Sequence, residues 1–204
     1  MFSFWWNEDS KQKISRRSRT AYLFIEGGMK LINTDRFAAE AKFVRLRRYR
    51  DADVVMCYVS TKEEADTWWL LKTILQDGKL PAVPRVDGDT MEFYIIESLN
   101  ELEPGKFGIF EPLQQCRIYL PGGAELMAVP GVRFDESCNR MGHGRGYYDK
   151  YFGKYGQECF FKVALTTEDC VEEELADRKP HDIPMDVILT EKRVIQRDRC
   201  TVER

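Results

Sequence analysis

The chain has 204 residues, 43% of them hydrophobic and 32% charged, the make-up of one ordinary globular domain able to bury a core. With 31 Lys and Arg against 34 Asp and Glu the net charge is −3, so there is no bulk electrostatic case for nucleic acid or an anionic membrane as partner. Six cysteines, at 57, 116, 138, 159, 170 and 200, form no C-x-x-C pair and no metal-ligand spacing, and read as reduced thiols of a cytoplasmic protein.

Met1-Phe2-Ser3-Phe4-Trp5-Trp6 is apolar but short and runs into Asn7-Glu8-Asp9. That is neither a secretory leader nor a membrane span, which needs about 20 apolar residues, so 1–9 reads as an arm packing on the body or on a second subunit. A first helix is expected over 10–28, capped by Asp9 or Ser10 and stopped by Gly27-Gly28, with Lys11, Lys13, Arg16, Arg17 and Arg19 in its early turns. A second helix is expected after Asn33 or Thr34, with Phe37, Ala41, Val44 and Arg48 on one side. The arginines of 45–50 complement the dipole at its end as a solvated face.

Val54 through Ser60 is a continuous apolar run suited to a buried parallel strand. Ser60 with Glu63, and Thr61 with Glu64, offer overlapping capping boxes for a helix that carries Trp68, Trp69, Leu71, Ile74 and Leu75 inward and ends at Gly78. Strands are expected at Leu80–Val86 and Met91–Ile96 with Asp87-Gly88 as the turn between them, and at Leu126–Pro130. A short helix follows at Tyr147–Tyr155, then a strand at Phe160–Thr166, a polar helix at Val171–Asp177 and a last core strand at Val187–Thr190. Strands alternating with helices predict a single α/β domain over 1–204: a three-layer αβα, Rossmann-like arrangement with an open, mostly parallel sheet and helices on both faces.

The densest chemistry lies in Asn139-Arg140-Met141-Gly142-His143-Gly144-Arg145-Gly146-Tyr147-Tyr148-Asp149. Glycines tolerate positive φ and bare their N–H groups, which can converge on an anion. Arg140 and Arg145 add full charge, and a helix starting after Gly146 adds its N-terminal dipole. These residues describe a phosphate cradle with Asp149 set to hold a divalent cation. The spacing is neither that of a P-loop, which needs Lys followed by Ser or Thr, nor that of the G-x-G-x-x-G dinucleotide fingerprint.

Pro130-Gly131, Phe134-Asp135, Asn139-Arg140 and the G-x-G-x-G-Tyr-Tyr-Asp run, in that order, resemble the signature of the 5-formyltetrahydrofolate cyclo-ligase (methenyltetrahydrofolate synthetase) family. The resemblance implies ATP- and Mg²⁺-dependent closure of 5-formyltetrahydrofolate to the 5,10-methenyl form, with ADP and phosphate released. It implies that Lys13 and Arg17, one helical turn apart, reach the nucleotide phosphates and the folate, the first helix folding back over the glycine loop. Lys13, Arg140 and Arg145 are then the catalytic cations, and Lys13, Arg17 and Arg140 through Tyr148 (Met141, Gly142, His143, Gly144, Arg145, Gly146, Tyr147) hold ATP. Arg17, Thr61, Asp66, Glu111, Tyr147 and Tyr148 contact folate, with helix capping the competing role for Thr61 and Asp66. Asp149 and Asp182 hold the metal, a turn before Pro184 being the other reading of Asp182. Cys138, where many members have glycine, and His143 depart from the pattern. The resemblance leaves a monomer or homodimer open. The alternative is a non-catalytic folate- or nucleotide-binding regulator of the same fold, against which Lys13, Arg17, Asp149 and Asp182 speak.

Overall fold

The computed structural model describes residues 20–25, 28–33, 37–61, 64–105, 108–176 and 182–197. They fall into two compact units, within 1–36 and within 37–204. In the first, β1 (Thr20–Ile25) and β2 (Gly28–Asn33) form an antiparallel hairpin with Thr20 opposite Asn33 and Ile25 opposite Gly28. This corrects the helix expected over 10–28 in its described part, and Asn33 closes a strand instead of capping a helix. Thr20, Tyr22, Phe24 and Ile25 are β-branched or aromatic residues that suit a pleated backbone.

The second unit begins with α1 (Ala38–Phe43) and α2 (Arg47–Asp51), where one longer helix is expected. The chain breaks at Leu46, whose ψ of 141° is extended. The break turns Tyr49 inward, edge-on to Phe43 at 6.0 Å, with its hydroxyl donating to Asp77 at 2.8 Å. Arg45, Arg47, Arg48 and Arg50 stay exposed, as the solvated-face reading has it.

Then follow β3 (Val54–Met56), α3 (Thr67–Gln76), β4 (Leu80–Asp87), β5 (Thr90–Ile95), β6 (Leu102–Pro104), β7 (Phe110–Pro112), β8 (Ile118–Tyr119) and β9 (Glu125–Val129). The chain continues through β10 (Arg133–Asp135), β11 (Arg140–Met141), α4 (Tyr147–Tyr155), β12 (Phe160–Leu165), β13 (Val171–Glu172), β14 (Val187–Leu189) and β15 (Val194–Gln196). An eight-stranded sheet runs in the order β15-β14-β12-β9-β3-β4-β5-β8. Its five central strands, β14 to β4, are parallel; β15, β5 and β8 join antiparallel at the margins.

The central strands are apolar on both faces because both are covered. Val55, Leu126, Ala128, Val163, Leu165, Val187 and Leu189 point to the side packed by Phe43, Leu70, Leu71 and Ile74 of α1 and α3. Met56, Met127, Val129, Ala164 and Ile188 alternate to the other side, against Tyr151 and Phe152 of α4. Each Val, Leu, Ile, Phe or Met among them contributes about 1.5–3 kcal/mol of burial free energy. Among the described residues no helix is long and apolar enough to cross a membrane.

Between Val171 and Ala176 the expected polar helix is replaced by β13, which pairs parallel with β10, Phe134 opposite Val171. Glu136 N–H donates to the Glu172 carbonyl at 3.2 Å and Leu175 N–H to the Asp135 carboxylate at 3.2 Å. These long-range partners outweigh the local helical preference of the glutamates.

From β3 the chain crosses through α3 to β4 on one side. From the adjacent β9 it crosses through α4 to β12 on the other side and the opposite face. The crevice outside the carboxyl ends of β3 and β9 is therefore the topological switch point, where open α/β sheets bind their ligands.

Candidate active site

The β9 side of the crevice is built on a buried turn. Asp135 accepts from Ser137 N–H (3.0 Å), Asn139 N–H (2.9 Å), Asn139 Nδ2 (2.8 Å) and Leu175 N–H. Burial would raise its pKa, but the hydrogen bonds, led by Asn139, outweigh it and hold the carboxyl below its ordinary value. Cys138 takes φ of +63°, the left-handed conformation in which glycine is at ease. The residue that departs from the family pattern thus sits at the glycine position and carries the strain itself.

A folded-state pKa below the unfolded one gives stability that is complete above about pH 4 and lost as pH falls through the folded value. Asp135→Asn should therefore lower the melting temperature clearly at pH 7, with the gap to wild type narrowing below about pH 4. A gap of constant size across that range would show that ionised Asp135 does not hold the turn.

This turn delivers Arg140 on β11, opposite Phe134. The Arg140 side chain is only 7% exposed, and its Nη2 lies 3.1 and 3.0 Å from the two oxygens of Asp149, which is 20% exposed. Nη1 donates to the Pro130 carbonyl at 3.3 Å, and Ile183 N–H donates to Asp149 at 3.3 Å. Buried Nε of Arg140 has no hydrogen-bond partner among the described residues, and neither has the buried Tyr148 hydroxyl. Burial foremost, then Glu64 and Cys57, pushes the Tyr148 pKa up, so the hydroxyl keeps its proton as a donor.

Gly144 and Gly146 have φ of +81° and +67°, with open space where a Cβ would stand. Gly146 caps α4 without a side chain, so the first N–H groups of that helix lack a side-chain cap. The bare glycine backbone, the uncapped helix start and the unpartnered arginine nitrogen form a donor set suited to phosphate oxygens. Tyr147 is engaged otherwise: its hydroxyl donates to the Gly88 carbonyl at 3.3 Å and fastens α4 to the β4–β5 turn. His143 and Arg145 are exposed on the loop.

On the β3 side, Thr61 N–H and Oγ1 both donate to Glu64, at 2.9 and 3.1 Å, so that half of the expected capping geometry forms. The helix itself starts later, at Thr67, with Asp66 as its N-cap accepting from Trp68 N–H at 3.1 Å. Thr67, fully buried, ties the corner together: its Oγ1 donates to the Tyr58 carbonyl (2.7 Å) and accepts from Ser60 N–H (3.0 Å), while its N–H donates to Ser60 Oγ (3.0 Å). Thr67→Val keeps shape, strands the half-buried Ser60 N–H and leaves the Tyr58 carbonyl only the Cys57 thiol, so it should cost about 1–3 kcal/mol, read as a lower denaturation midpoint at unchanged slope. A loss below about 0.5 kcal/mol would show that water replaces those bonds.

Glu111 on β7 accepts from Val86 N–H at 3.2 Å, next to the β4–β5 turn. Its neighbour Phe110 meets Trp68 edge-on at 5.2 Å, so β7 and the start of α3 share an apolar wall.

The fold therefore gathers Arg140, Asp149 and Tyr148, and brings residue 183, beside Asp182, against Asp149. Thr61 and Asp66 stand at the neighbouring strand end; Glu111 stands on the β4 side. Lys13 and Arg17 lie outside the described residues. Among the described residues no three His, Cys, Asp or Glu side chains converge as a metal cluster. Sequence reasoning missed the Pro130 carbonyl and Ile183 N–H, for which backbone groups carry no sequence signal. It also missed Thr67, hidden before the tryptophan pair.

A mostly parallel open sheet with a glycine-rich loop and an arginine–carboxylate pair at its switch point defines the class: an α/β protein with its candidate site at the strand ends. The chain belongs to the 5-formyltetrahydrofolate cyclo-ligase family, whose family model matches residues 11–191. A probable 5-formyltetrahydrofolate cyclo-ligase of Schizosaccharomyces pombe is 31% identical over 169 residues, 76% of this chain and 80% of that one. The 5-formyltetrahydrofolate cyclo-ligase of Mus musculus is 26% identical over 166 residues, 74% of this chain and 79% of that one. The solution structure of Aquifex aeolicus 5,10-methenyltetrahydrofolate synthetase superposes with a TM-score of 0.72 at 31% identity, covering 84% of this chain and 86% of that one.

Proposed function

We propose that this chain closes 5-formyltetrahydrofolate to 5,10-methenyltetrahydrofolate at the expense of ATP, with Mg²⁺, releasing ADP and phosphate. The observation that carries this reading, within a chain of this family, is the switch-point donor set: bare glycine N–H groups beside a buried arginine whose Nε has no partner among the described residues. The chemical difficulty is that a formamide oxygen is a poor leaving group. Transfer of a phosphoryl group to that oxygen makes it a good one, and the neighbouring amine nitrogen can then close the ring.

The protein's task is to hold the γ-phosphate in line with the formyl oxygen and to balance the growing charge. In this reading Arg140, Arg145 and the loop from Met141 to Gly146 face the phosphates, joined by Lys13 and Arg17. Thr61, Asp66, Glu111 and Arg17 orient the folate, with Tyr147 and Tyr148 between the two ligands. The donor chemistry at Asp149 suits Mg²⁺, which takes one or two carboxylates and otherwise phosphate and water; Asp182 is the second candidate. When bound, the ion neutralises charge on the phosphates. A cytoplasmic monomer or homodimer is the setting we infer.

Incubation with 5-formyltetrahydrofolate, ATP and Mg²⁺, followed by the near-ultraviolet absorption of the methenyl product, tests the reaction. Product should form only with all three present. Binding of folate and nucleotide without product would favour a regulatory member instead.

A further inference from the structure

Asp149, the carboxylate read as the metal ligand, already holds a cation in this structure. Both of its oxygens face Arg140 Nη2, and Ile183 N–H occupies a further lone pair. We propose that Arg140 stands in for the metal's charge at Asp149 until a nucleotide draws the guanidinium away. Divalent cation and nucleotide then bind as a pair, and neither binds well alone. This interlock rests on reading the glycine loop as a phosphate cradle and Asp149 as the metal ligand.

Electrostatics favours the exchange. A divalent ion about 2.1 Å from an Asp149 oxygen would stand within roughly 5 Å of a guanidinium nitrogen. Two positive groups at that distance repel, so the existing pair holds a metal more weakly than an unpaired carboxylate would. Among the described residues no carboxylate other than Asp149 pairs with Arg140. An anion can draw it off, because the guanidinium holds a buried Nε with no partner among the described residues and an Nη1 spent only on a 3.3 Å bond to a carbonyl.

The stem meanwhile is confined. A Cβ on Gly131 would stand 3.0 Å from Arg140 Cγ, and one on Gly142 would stand 3.0 Å from Nη1. The stem is thus held beside Gly131, while the guanidinium, which lies where a Gly142 Cβ would crowd it, swings away from Asp149 in the exchange. With phosphate between them, Arg140 and the metal no longer face each other bare, and Asp149 is free to bind the ion. By linkage, nucleotide must strengthen metal binding by the same factor that metal strengthens nucleotide binding.

The test uses the full chain with Mn²⁺ as a spectroscopically visible divalent probe and ADP as the nucleotide, without folate. Free Mn²⁺ is followed by electron paramagnetic resonance and ADP by calorimetry. Wild type should bind Mn²⁺ weakly alone and about tenfold or more tightly with ADP. Arg140→Gln should bind Mn²⁺ without nucleotide at least about fivefold more tightly than wild type, and ADP should strengthen it by a correspondingly smaller factor than in wild type. The double variant Arg140→Gln, Asp149→Asn should lose that gain, which locates the metal at Asp149. In the mirror arm, which stands even if Arg140→Gln fails to fold, Asp149→Asn in chelator should bind metal-free ADP more tightly than wild type.

Equal Mn²⁺ affinity of wild type and Arg140→Gln without nucleotide overturns the interlock, as does a gain that persists in the double variant. So does an unchanged or weaker affinity of Asp149→Asn for metal-free ADP. Wild type that fails these tests yet makes methenyl product leaves the proposed reaction standing. Wild type that passes them and makes none would overturn the reaction and keep the interlock.

Discussion

Asp149→Asn is expected to lower turnover about a hundredfold or more at fixed Mg²⁺ while leaving the protein folded. The amide is the same size and its oxygen can still accept from Ile183 N–H, so the start of α4 keeps its dock. What is lost is charge, both toward a metal and toward Arg140, whose guanidinium is almost fully buried. Removing the charge leaves Arg140 uncompensated, but the amide oxygen can still accept from its guanidinium, so the cost should be moderate, about 1–3 kcal/mol. Melting should fall by roughly 2–12 °C, which leaves the protein folded at the assay temperature and does not account for the kinetic loss. Turnover measured across a Mg²⁺ titration checks the role, and unchanged turnover with an unchanged metal dependence would remove Asp149 from the chemistry.

Gly131→Ala should have the largest structural effect of any single methyl addition near the site. The new Cβ would lie 2.5 Å from Cζ of Phe134 and 3.0 Å from Cγ of Arg140. Phe134 is fully buried in the core and held from both sides by the β10 pairings, so its ring cannot swing away. Overpacking of this kind costs about 1–3 kcal/mol, or roughly 2–12 °C in melting temperature for a protein of this size. The remaining relief is to push the Arg140 stem, which should lower activity further at temperatures where the variant is fully folded. Gly153→Ala, on α4, is the control. Its added Cβ meets nothing within 4 Å, so helix propensity alone should stabilise it by up to about 1 kcal/mol. If both substitutions prove equally mild, the close approach at Gly131 does not constrain the site.

Those parts whose cause is local were legible in the residues alone. Tyr147–Tyr155 is a helix with the bounds expected, since Gly146 starts it and Gly156 stops it. The apolar runs at Val54, Leu126, Phe160 and Val187 are parallel strands because only burial on both faces calls for such runs. The glycine spacing located the loop, and the family resemblance marked Cys138 as the residue at a glycine's position, where its φ is +63°. Other features turn on partners that periodicity cannot see. The strand Thr20–Ile25 needs Gly28–Asn33 beside it, and β13 needs β10, at a separation of 37 residues in the pair of Phe134 and Val171. Above all, the pairing of Arg140 with Asp149 was not legible in the run that contains both, which reads equally well as a free cation and a free carboxylate. The register of β11 against β10, the crossing of α4 and the return of the chain at Ile183 set those groups 3.0 Å apart. A side chain's own chemistry is written at its position, but the charge it faces depends on which distant strands the fold makes neighbours.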